Sequence, residues 1–554
     1  MSELPFAGAV RWLRYHTFKV TLPRVCAFLL LATTAAVYVP YLGNPLVFDD
    51  FGVNYLYHGV NVSFAPRWLP YATLGFTYVM AEGEVWAMRL GNLVLHAINA
   101  VMVFALLREV FLSTINAPGG EMGRASRTLM PAMLAALVFA AHPVAVYGTG
   151  YLVQRTILMS TLFMLVMLIC YWRWLITGRR AMWVWSVTGY LLSVFSKEHS
   201  VMAPAVALAM TFLLYRPSIS LAHRITPIFV AYTIIAVLVM GMVKGVFGTA
   251  YEPYARELMG NPLVLDEARM RDLHFMSIIT QSLLYFKYAF LWVFPNLNWM
   301  SIDVREPLAE AITLWPYWAG TVLFLVYPVL ALRMILRGGR VGVAGWVLSY
   351  PWIMFATEFS TIRIQEPFVM YRSYLWFPIF GALFALALYR LNTRVLIVLS
   401  VVMACVLVPL SWNRLYSMSD ALVLWEDAAR LLVSGNELGA GRIYYNRALA
   451  LSEKGRKAEA EADLDRVIIL HPRFAPVYYA RANVRFELAR HADAMQDLEE
   501  AIALNPDSAG YYLARAKVLT RMGRGEQAVP DLQKSCEMKD VIACYALSQQ
   551  GRTK

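Results

Sequence analysis

The chain has 554 residues, of which 59% are hydrophobic and only 16% charged, with a net charge of +12 and a mean hydropathy of +0.51. A soluble domain carries about 25% charged residues, so these figures exclude an ordinary cytosolic enzyme, a disordered chain and a fibrous one. They point to a polytopic membrane protein. The charge is uneven: of 49 basic and 37 acidic residues, 20 and 19 lie in 411–554, which leaves 29 and 18 in 1–410. An apolar body is joined to a tail of ordinary soluble composition. The body's basic excess reads as membrane topology, not as nucleic-acid binding.

A helix needs about 20 apolar residues to cross ~30 Å of hydrocarbon. The apolar runs predict eleven spans, near 22–41, 86–107, 130–148, 156–175, 181–196, 200–215, 225–247, 316–335, 341–359, 373–390 and 395–411. Arg11, Arg14, Lys19 and Arg24 place the N-terminus in the cytoplasm by the positive-inside rule. Alternation then puts Arg108, Arg124 and Arg127 inside, with Arg173, Arg179 and Arg180, and with Arg216 and Arg224. Residues 274–294 are also apolar enough to cross. Crossing would put Arg333, Arg337 and Arg340 outside, so this segment, aromatic throughout and with a central Lys287, is read as re-entrant or interfacial. The tail then falls on the outer face.

The tail repeats itself every 34 residues. Ala448, Ala482 and Ala516 keep that spacing, as do Ala460, Ala494 and Ala528, Asp463, Asp497 and Asp531, and Leu464, Leu498 and Leu532; Pro472 and Pro506 close two of the repeats. Small residues where two helices cross, with a Pro at the turn, make the tetratricopeptide pattern. Three repeats are expected at 441–474, 475–508 and 509–542, with a capping helix after them and a linker helix in 412–440. Such solenoids present a concave surface to a protein or peptide. The pairs Tyr444/Tyr445, Tyr478/Tyr479 and Tyr511/Tyr512 are candidate groove aromatics, although one of each pair can equally be core. Cys536 and Cys544, eight apart, are either a disulfide in an oxidising compartment or two buried thiols. Cys26, Cys170 and Cys405 lie in apolar runs and read as packing residues.

Several polar residues of the body need a reason. Asp49 and Asp50 follow the first span directly. Two carboxylates so close resist joint ionisation, which suits one of them to general-base work near neutral pH. The pair could also hold a divalent cation such as Mg or Mn, or simply cap a helix. His142, Gln154 and Arg155, Lys197 and Glu198, and Glu358, Arg363, Glu366 and Arg372 fall at the same outer face by the topology above. Ionisable groups at membrane level are costly and usually functional. Together they describe one polar cavity, although Lys197–Glu198 and Glu366–Arg372 can equally be structural pairs. Arg89, Asn92, His96 and Asn99 recur at helical spacing and form a polar stripe, best read as interhelical hydrogen bonding. Residues 67–80 are amphipathic and rich in aromatics, as a surface helix would be.

The ordered set Phe48-Asp49-Asp50, Arg67-Trp68-Leu69, Arg89 to Asn99, Phe139-Ala140-Ala141-His142-Pro143, Tyr151 to Arg155, Ser196-Lys197-Glu198 and Glu366 to Tyr374, followed by tetratricopeptide repeats, resembles bacterial relatives of the transmembrane and tetratricopeptide repeat O-mannosyltransferases, within the C-type glycosyltransferase superfamily. The resemblance covers essentially the whole chain. It departs where that family has Arg-Pro-Leu and this chain has Arg67-Trp68-Leu69, and the repeat array is short. It implies an all-α membrane enzyme of the bacterial inner membrane that transfers sugar, with inversion, from a polyprenyl-phosphate donor to a protein hydroxyl or glycan on the periplasmic side. Asp49 would be the base and Asp50 an acceptor or cation contact. Arg155, Lys197 and Arg372 would hold the donor phosphate; Arg67, His142, Gln154, Glu198, Glu366 and Tyr374 would line the cavity. Two other functions fit the same sequence: a ligase moving a preassembled lipid-linked glycan, for example onto pilin, and a non-enzymatic membrane-tethered scaffold.

Overall fold

The computed structural model describes residues 21–48, 50, 66–115, 120–243, 267–363 and 366–550. Asp49, the expected base, lies outside them, as do Arg11, Arg14 and Lys19. The chain divides into two compact units, Met1–Ser419 and Asp420–Lys554. The linker helix expected in 412–440 therefore belongs mostly with the tail.

Among the described residues the fold is helical throughout; one antiparallel bridge joins Val304 to Phe368. Helices of eight residues or more are, in the body, α1 Leu22–Tyr38, α2 Trp68–Met80, α3 Val85–Thr114, α4 Gly120–Ala141, α5 Arg155–Thr177, α6 Arg180–Ser196, α7 Ala203–Thr211, α8 Ile219–Met242, α9 Glu267–Val293, α10 Tyr317–Arg337, α11 Gly339–Phe355 and α12 Thr393–Tyr416. Six are long and apolar enough to span a membrane: Leu22–Tyr41, Val85–Thr114, Leu152–Thr177, Ile219–Met242, Tyr317–Arg337 and Thr393–Tyr416. A seventh candidate is the pair Arg127–Ala141 and Pro143–Thr149, bent by 48°. This is fewer than the eleven expected. Helices α6 and α11 have 17 residues each, which at 1.5 Å per residue reach only about 25 Å. The 200–215 run is split into a short turn and the nine-residue α7. The 373–390 run is broken into Ser373–Trp376 and Ala382–Ala387, with Pro378 and Gly381 between them.

Helices α5 and α6 form the central hairpin. Gly178, at φ 68°, ends α5 in the left-handed conformation that glycine adopts without strain. Gly189 lets α6 approach closely, since a Cβ there would sit 2.9 Å from the Met167 backbone nitrogen. The turn carries Arg179 and Arg180; the open end carries Arg155 and Lys197. Arg216 donates to the Leu336 carbonyl and Arg224 to the Leu175 carbonyl at 2.8 Å. The basic ends of α5, α8 and α10 are thus together, at the end opposite Lys197.

Residues 267–293 form one unbroken helix, which excludes a re-entrant turn there. Along α9, His274 bonds the Phe359 carbonyl, Ser277 accepts from Arg363 N, Gln281 donates to the Pro367 carbonyl, Tyr288 bonds Val369 and Trp292 donates to Ser373. The helix braces the segment 359–373 over most of its length. Lys287 pairs with Glu306.

In the tail, α13 Ala421–Ala429 leads into α14 Ala440–Glu453, α15 Lys457–Leu470, α16 Ala475–Glu487, α17 His491–Leu504, α18 Ala509–Arg521, α19 Gly525–Glu537 and α20 Val541–Gln550. After α13 these are three helical hairpins and a last helix that begins at Val541. The 34-spaced alanines Ala448, Ala460, Ala482, Ala494, Ala516 and Ala528 are all buried at helix crossings. A ladder repeats with them. Arg447 clamps Asp463, Arg481 clamps Asp497 and Arg515 clamps Asp531, each through Nε and Nη2 at 2.6–3.1 Å. Tyr444, Tyr478 and Tyr512 lie under the three guanidinium groups at 5.5–5.9 Å. Cys536 and Cys544 are disulfide-bonded, tying α20 to α19. Of the other cysteines, Cys26 is buried but Cys405 is exposed, so it is not a packing residue.

Candidate functional site

A cavity of about 300 Å³ opens at the Lys197 end of the α5–α6 hairpin. Its polar wall holds Arg67, Lys197, Glu198, His199, Arg363, Glu366 and Arg372; Val201, Met202, Met240 and Val243 make an apolar side. The chain reaches it by irregular backbone. Arg67 precedes α2 at φ 67°, outside the ordinary range for a side-chain-bearing residue. Its N–H is fixed to the Phe195 carbonyl at 2.8 Å, and its guanidinium forms a fork on Glu198. Strain held by specific contacts clusters at functional positions.

Below the wall is a buried charge cluster. Glu358, 1% exposed, accepts from Arg372 at 3.0 Å and lies 3.1 Å from Arg363. Burial alone would raise its carboxyl, but Arg363 and then Arg372 outweigh it and hold the value at about 2. Arg372 also meets Glu366 at 3.6 Å, and its guanidinium is held above its ordinary range because Glu358 overcomes the burial penalty. Burial likewise opposes the Glu198 charge, and Arg67 and His199 outweigh it, so that carboxyl lies well below its usual range.

Lys197 differs from these. It is buried, yet no carboxylate oxygen among the described residues lies within 4 Å of its Nζ; its neighbour is the Tyr371 ring, 5.8 Å away. Burial first, then Arg67, lower its ammonium to about 7, with Glu198 opposing. A buried cation without a counter-ion is costly, and an anionic ligand would remove that cost.

Phe48 and Asp50, which follow α1, lie next to this wall. Phe48 contacts the Tyr151 ring at 6.1 Å, and Tyr151 contacts Tyr371 at 5.9 Å. Asp50 is fully buried and accepts from Val153 N at 2.9 Å, Val47 N at 3.3 Å and Leu152 N at 3.4 Å. Burial raises its carboxyl to about 7, against the pull of those N–H groups and Arg89. Asp50 pins the loop to the turn before α5.

Of the sequence-predicted residues, Arg67, Lys197, Glu198, Glu366 and Arg372 line the cavity. Glu198 takes Arg67 as its ion-pair partner instead of the candidate partner Lys197; the candidate Glu366–Arg372 pair is present. Arg155 does not line the cavity. It spans α2, α3 and α5, donating to Asn92 at 2.9 Å, Thr73 and Thr77 at 2.9 Å and Met88 at 2.6 Å. His142 caps the break after α4, accepting from Val144 N at 3.3 Å, and stacks on Trp292 at 4.5 Å. Tyr374 bonds His96 at 2.7 Å and Asn99 at 3.2 Å. Gln154 is buried, and its Oε1 has no hydrogen-bond partner among the described residues. The stripe on α3 bonds partly to turns and partly to helices: Arg89 donates to the Asn44, Pro45 and Gly150 carbonyls and Asn92 to Leu152 at 3.1 Å, while His96 meets the Ala140 carbonyl of α4 at 3.1 Å and Asn99 donates to the Leu158 carbonyl of α5 at 3.0 Å. No group of three or more His, Cys, Asp or Glu able to hold a metal occurs among the described residues. His199, which follows Lys197 and Glu198 in the sequence, was given no role of its own there. Its signal was its place beside Lys197-Glu198, but a lone His carries little weight.

The described helices thus make a helical protein with six or seven helices long and apolar enough to span a membrane and a repeat solenoid at its C-terminus. A tetratricopeptide repeat family profile matches residues 441–470 and 475–508, so the tail carries tetratricopeptide repeats. The crystal structure of MamA is similar to 24% of this chain and 77% of its own, at 22% identity and a TM-score of 0.20. No curated protein matches the chain in sequence.

Proposed function

We propose that the body is a glycosyltransferase that moves a sugar from a polyprenyl-phosphate donor to a protein hydroxyl or glycan brought by the tail. The observation that carries this reading is Lys197: a buried cation lacking a carboxylate partner among the described residues, between Arg67 and Arg372, in a cavity with one apolar side. A phosphate on a hydrocarbon chain has the matching chemistry. Arginine gives bidentate phosphate contacts and lysine a point charge. In the transfer, Asp49 takes the acceptor hydroxyl proton, the hydroxyl oxygen bonds to the sugar's anomeric carbon, and the bond from that carbon to the phosphate oxygen breaks. Its electron pair stays on the phosphate, where Lys197, Arg372 and Arg363 stabilise it. No step needs a divalent cation at Asp49 and Asp50. Asp50 already spends both carboxylate oxygens on backbone N–H groups.

The disulfide in the tail supports an oxidising compartment for it, hence the periplasm, with the N-terminus cytoplasmic. The gathered basic ends of α5, α8 and α10 support a cytoplasmic face opposite the cavity. The bonding of α9 to 359–373 along its length supports an interfacial helix. Spans beyond the six or seven long helices would have to be the short helices α6, α7 and α11 and the broken 373–387 segment.

The test is donor photocrosslinking in membranes with a polyprenyl-phosphate probe. Lys197→Gln is expected to lose most labelling, and Asp49→Asn to keep labelling while losing transfer. Full labelling and transfer in both variants would overturn the reading. A donor bearing a long preassembled glycan, recovered in its place from a deletion strain, would move the assignment to a glycan ligase. The repeats also favour a second reading, a scaffold without chemistry. That reading requires the tail alone, exported, to restore function.

A further inference from the structure

The mechanism above leaves His199 unused. It sits in the short turn Glu198–Met202 after α6 and faces the cavity. Its ring lies between carboxylates from two different elements. Nδ1 is 3.4 Å from Glu198 Oε1, and Nε2 is 3.6 Å from Glu358 Oε1. Nδ1 and Glu358 Oε1 are both buried without a hydrogen-bond partner among the described residues. Protonated, the imidazole would have an acceptor on each side. Yet burial holds it neutral, below its ordinary range, with Lys197 adding to that and the two carboxylates opposing.

The other charges around the ring come from three elements. Arg67 precedes α2, Lys197 ends α6, and Arg363, Glu366 and Arg372 follow Glu358, with Tyr371 beside them. Among the described residues, the four cations Arg67, Lys197, Arg363 and Arg372 face the three carboxylates Glu198, Glu358 and Glu366. Arg67, Arg363 and Arg372 each pair with one of those carboxylates, and Lys197 is the cation with no described carboxylate within 4 Å, a single positive charge. That matches a phosphodiester, which carries one negative charge. It falls short by one for a phosphate monoester, which carries close to two at neutral pH because its second pKa is about 6.

We propose that His199 takes up a proton when the cavity holds a phosphate monoester and stays neutral when it holds a phosphodiester. The inference rests on the donor reading above, in which the donor is a diester and the product, polyprenyl phosphate, is a monoester. Each transfer releases one proton from the acceptor hydroxyl and adds one negative charge to the lipid phosphate. His199, cradled by Glu198 and Glu358, is the group that follows that added charge. It would hold the product phosphate until the proton leaves, and so couple product release to pH.

The experiment is calorimetry on the full-length protein in lipid nanodiscs, in buffers of different ionisation enthalpy, at about pH 7.5, above the second phosphate pKa. The probes are farnesyl phosphate, a monoester, and its methyl diester. Lys197 takes up a proton with either probe, so it cancels in the difference between them. The wild type is expected to take up close to one proton more with the monoester than with the diester. His199→Gln is expected to remove that difference, weaken the monoester about tenfold and leave the diester within about twofold. Retained diester binding shows that the variant is folded. If His199→Gln keeps the difference, the proton resides on the phosphate and the inference fails. If the wild type binds both probes with equal proton uptake, the inference fails while the donor site stands. If the wild type binds neither probe, the donor reading itself fails.

Discussion

Asp49 and Asp50 look equivalent in the sequence, but the structure gives Asp50 a separate duty. Its two oxygens receive three backbone N–H groups from Val47, Leu152 and Val153. An asparagine there would turn an NH2 group toward N–H donors, and leaving buried donors unmet costs about 1–3 kcal/mol. Asp50→Asn is therefore expected to lower thermal stability as well as activity, whereas Asp49→Asn should lose activity at unchanged stability. Melting curves of the two variants in detergent separate these outcomes. Lys197 gives a second prediction. Only its ammonium attracts a phosphate, and its value in the empty cavity is about 7. Affinity for the methyl diester probe should therefore be flat below about pH 7 and fall toward tenfold per pH unit above it. Lys197→Arg, which stays charged, should flatten that slope, and a slope unchanged in Lys197→Arg would assign it elsewhere. Such residues were only half legible in the sequence. Lys197, Glu198 and Arg372 could be placed on one face by alternation of spans. Arg155 could not be told from a ligand, because the neutral partners described for it come from α2 and α3, distant segments that no spacing rule connects to α5.

The tail shows the same division at the scale of helices. The alanines at 34-residue spacing were readable because a helix crossing tolerates only small side chains. Arg447, Arg481 and Arg515 keep that spacing too, but a charge on a helix ordinarily reads as solvent-facing. Each is instead held against an Asp that is at most 7% exposed. Removing one partner of such a pair strands the other. Arg515→Met is expected to cost about 2 kcal/mol in urea unfolding of residues 420–554, since Asp531 would be left buried. Asp531→Leu added to it should recover part of that loss, and a double-mutant cycle without coupling would show the ladder to be decorative. The disulfide acts at the far end. Closing a loop of about nine residues is worth up to about 2.5 kcal/mol by chain entropy. Cys536→Ser with Cys544→Ser should therefore loosen α20 first, seen as faster amide exchange in 541–550.

For the whole molecule, everything turns on whether the count of crossings is odd or even. Hydropathy windows see apolar length but not the breaks at Pro378 and Gly381 or the 17-residue limit of α6 and α11. That is why eleven spans were expected and six or seven long helices are found. The short helices enter or leave the count together with their partners, so they preserve parity; the bent pair Arg127–Ala141 and Pro143–Thr149 does not. With the N-terminus inside, six crossings put the tail in the cytoplasm, where Cys536 and Cys544 would stay reduced. Seven or eleven put it outside, where their bond is stable. The bent pair should therefore cross, with His142 at its kink stacked on Trp292. Alkaline phosphatase fused after Lys554 is expected to be active and a fluorescent protein fused there dark. The same fusions placed after Thr177, beside Arg173, Arg179 and Arg180, should give the reverse. A cytoplasmic result at Lys554 would remove the bent pair from the spans, leave the tail's thiols reduced in the cell, and separate the repeats from any acceptor on the outer face.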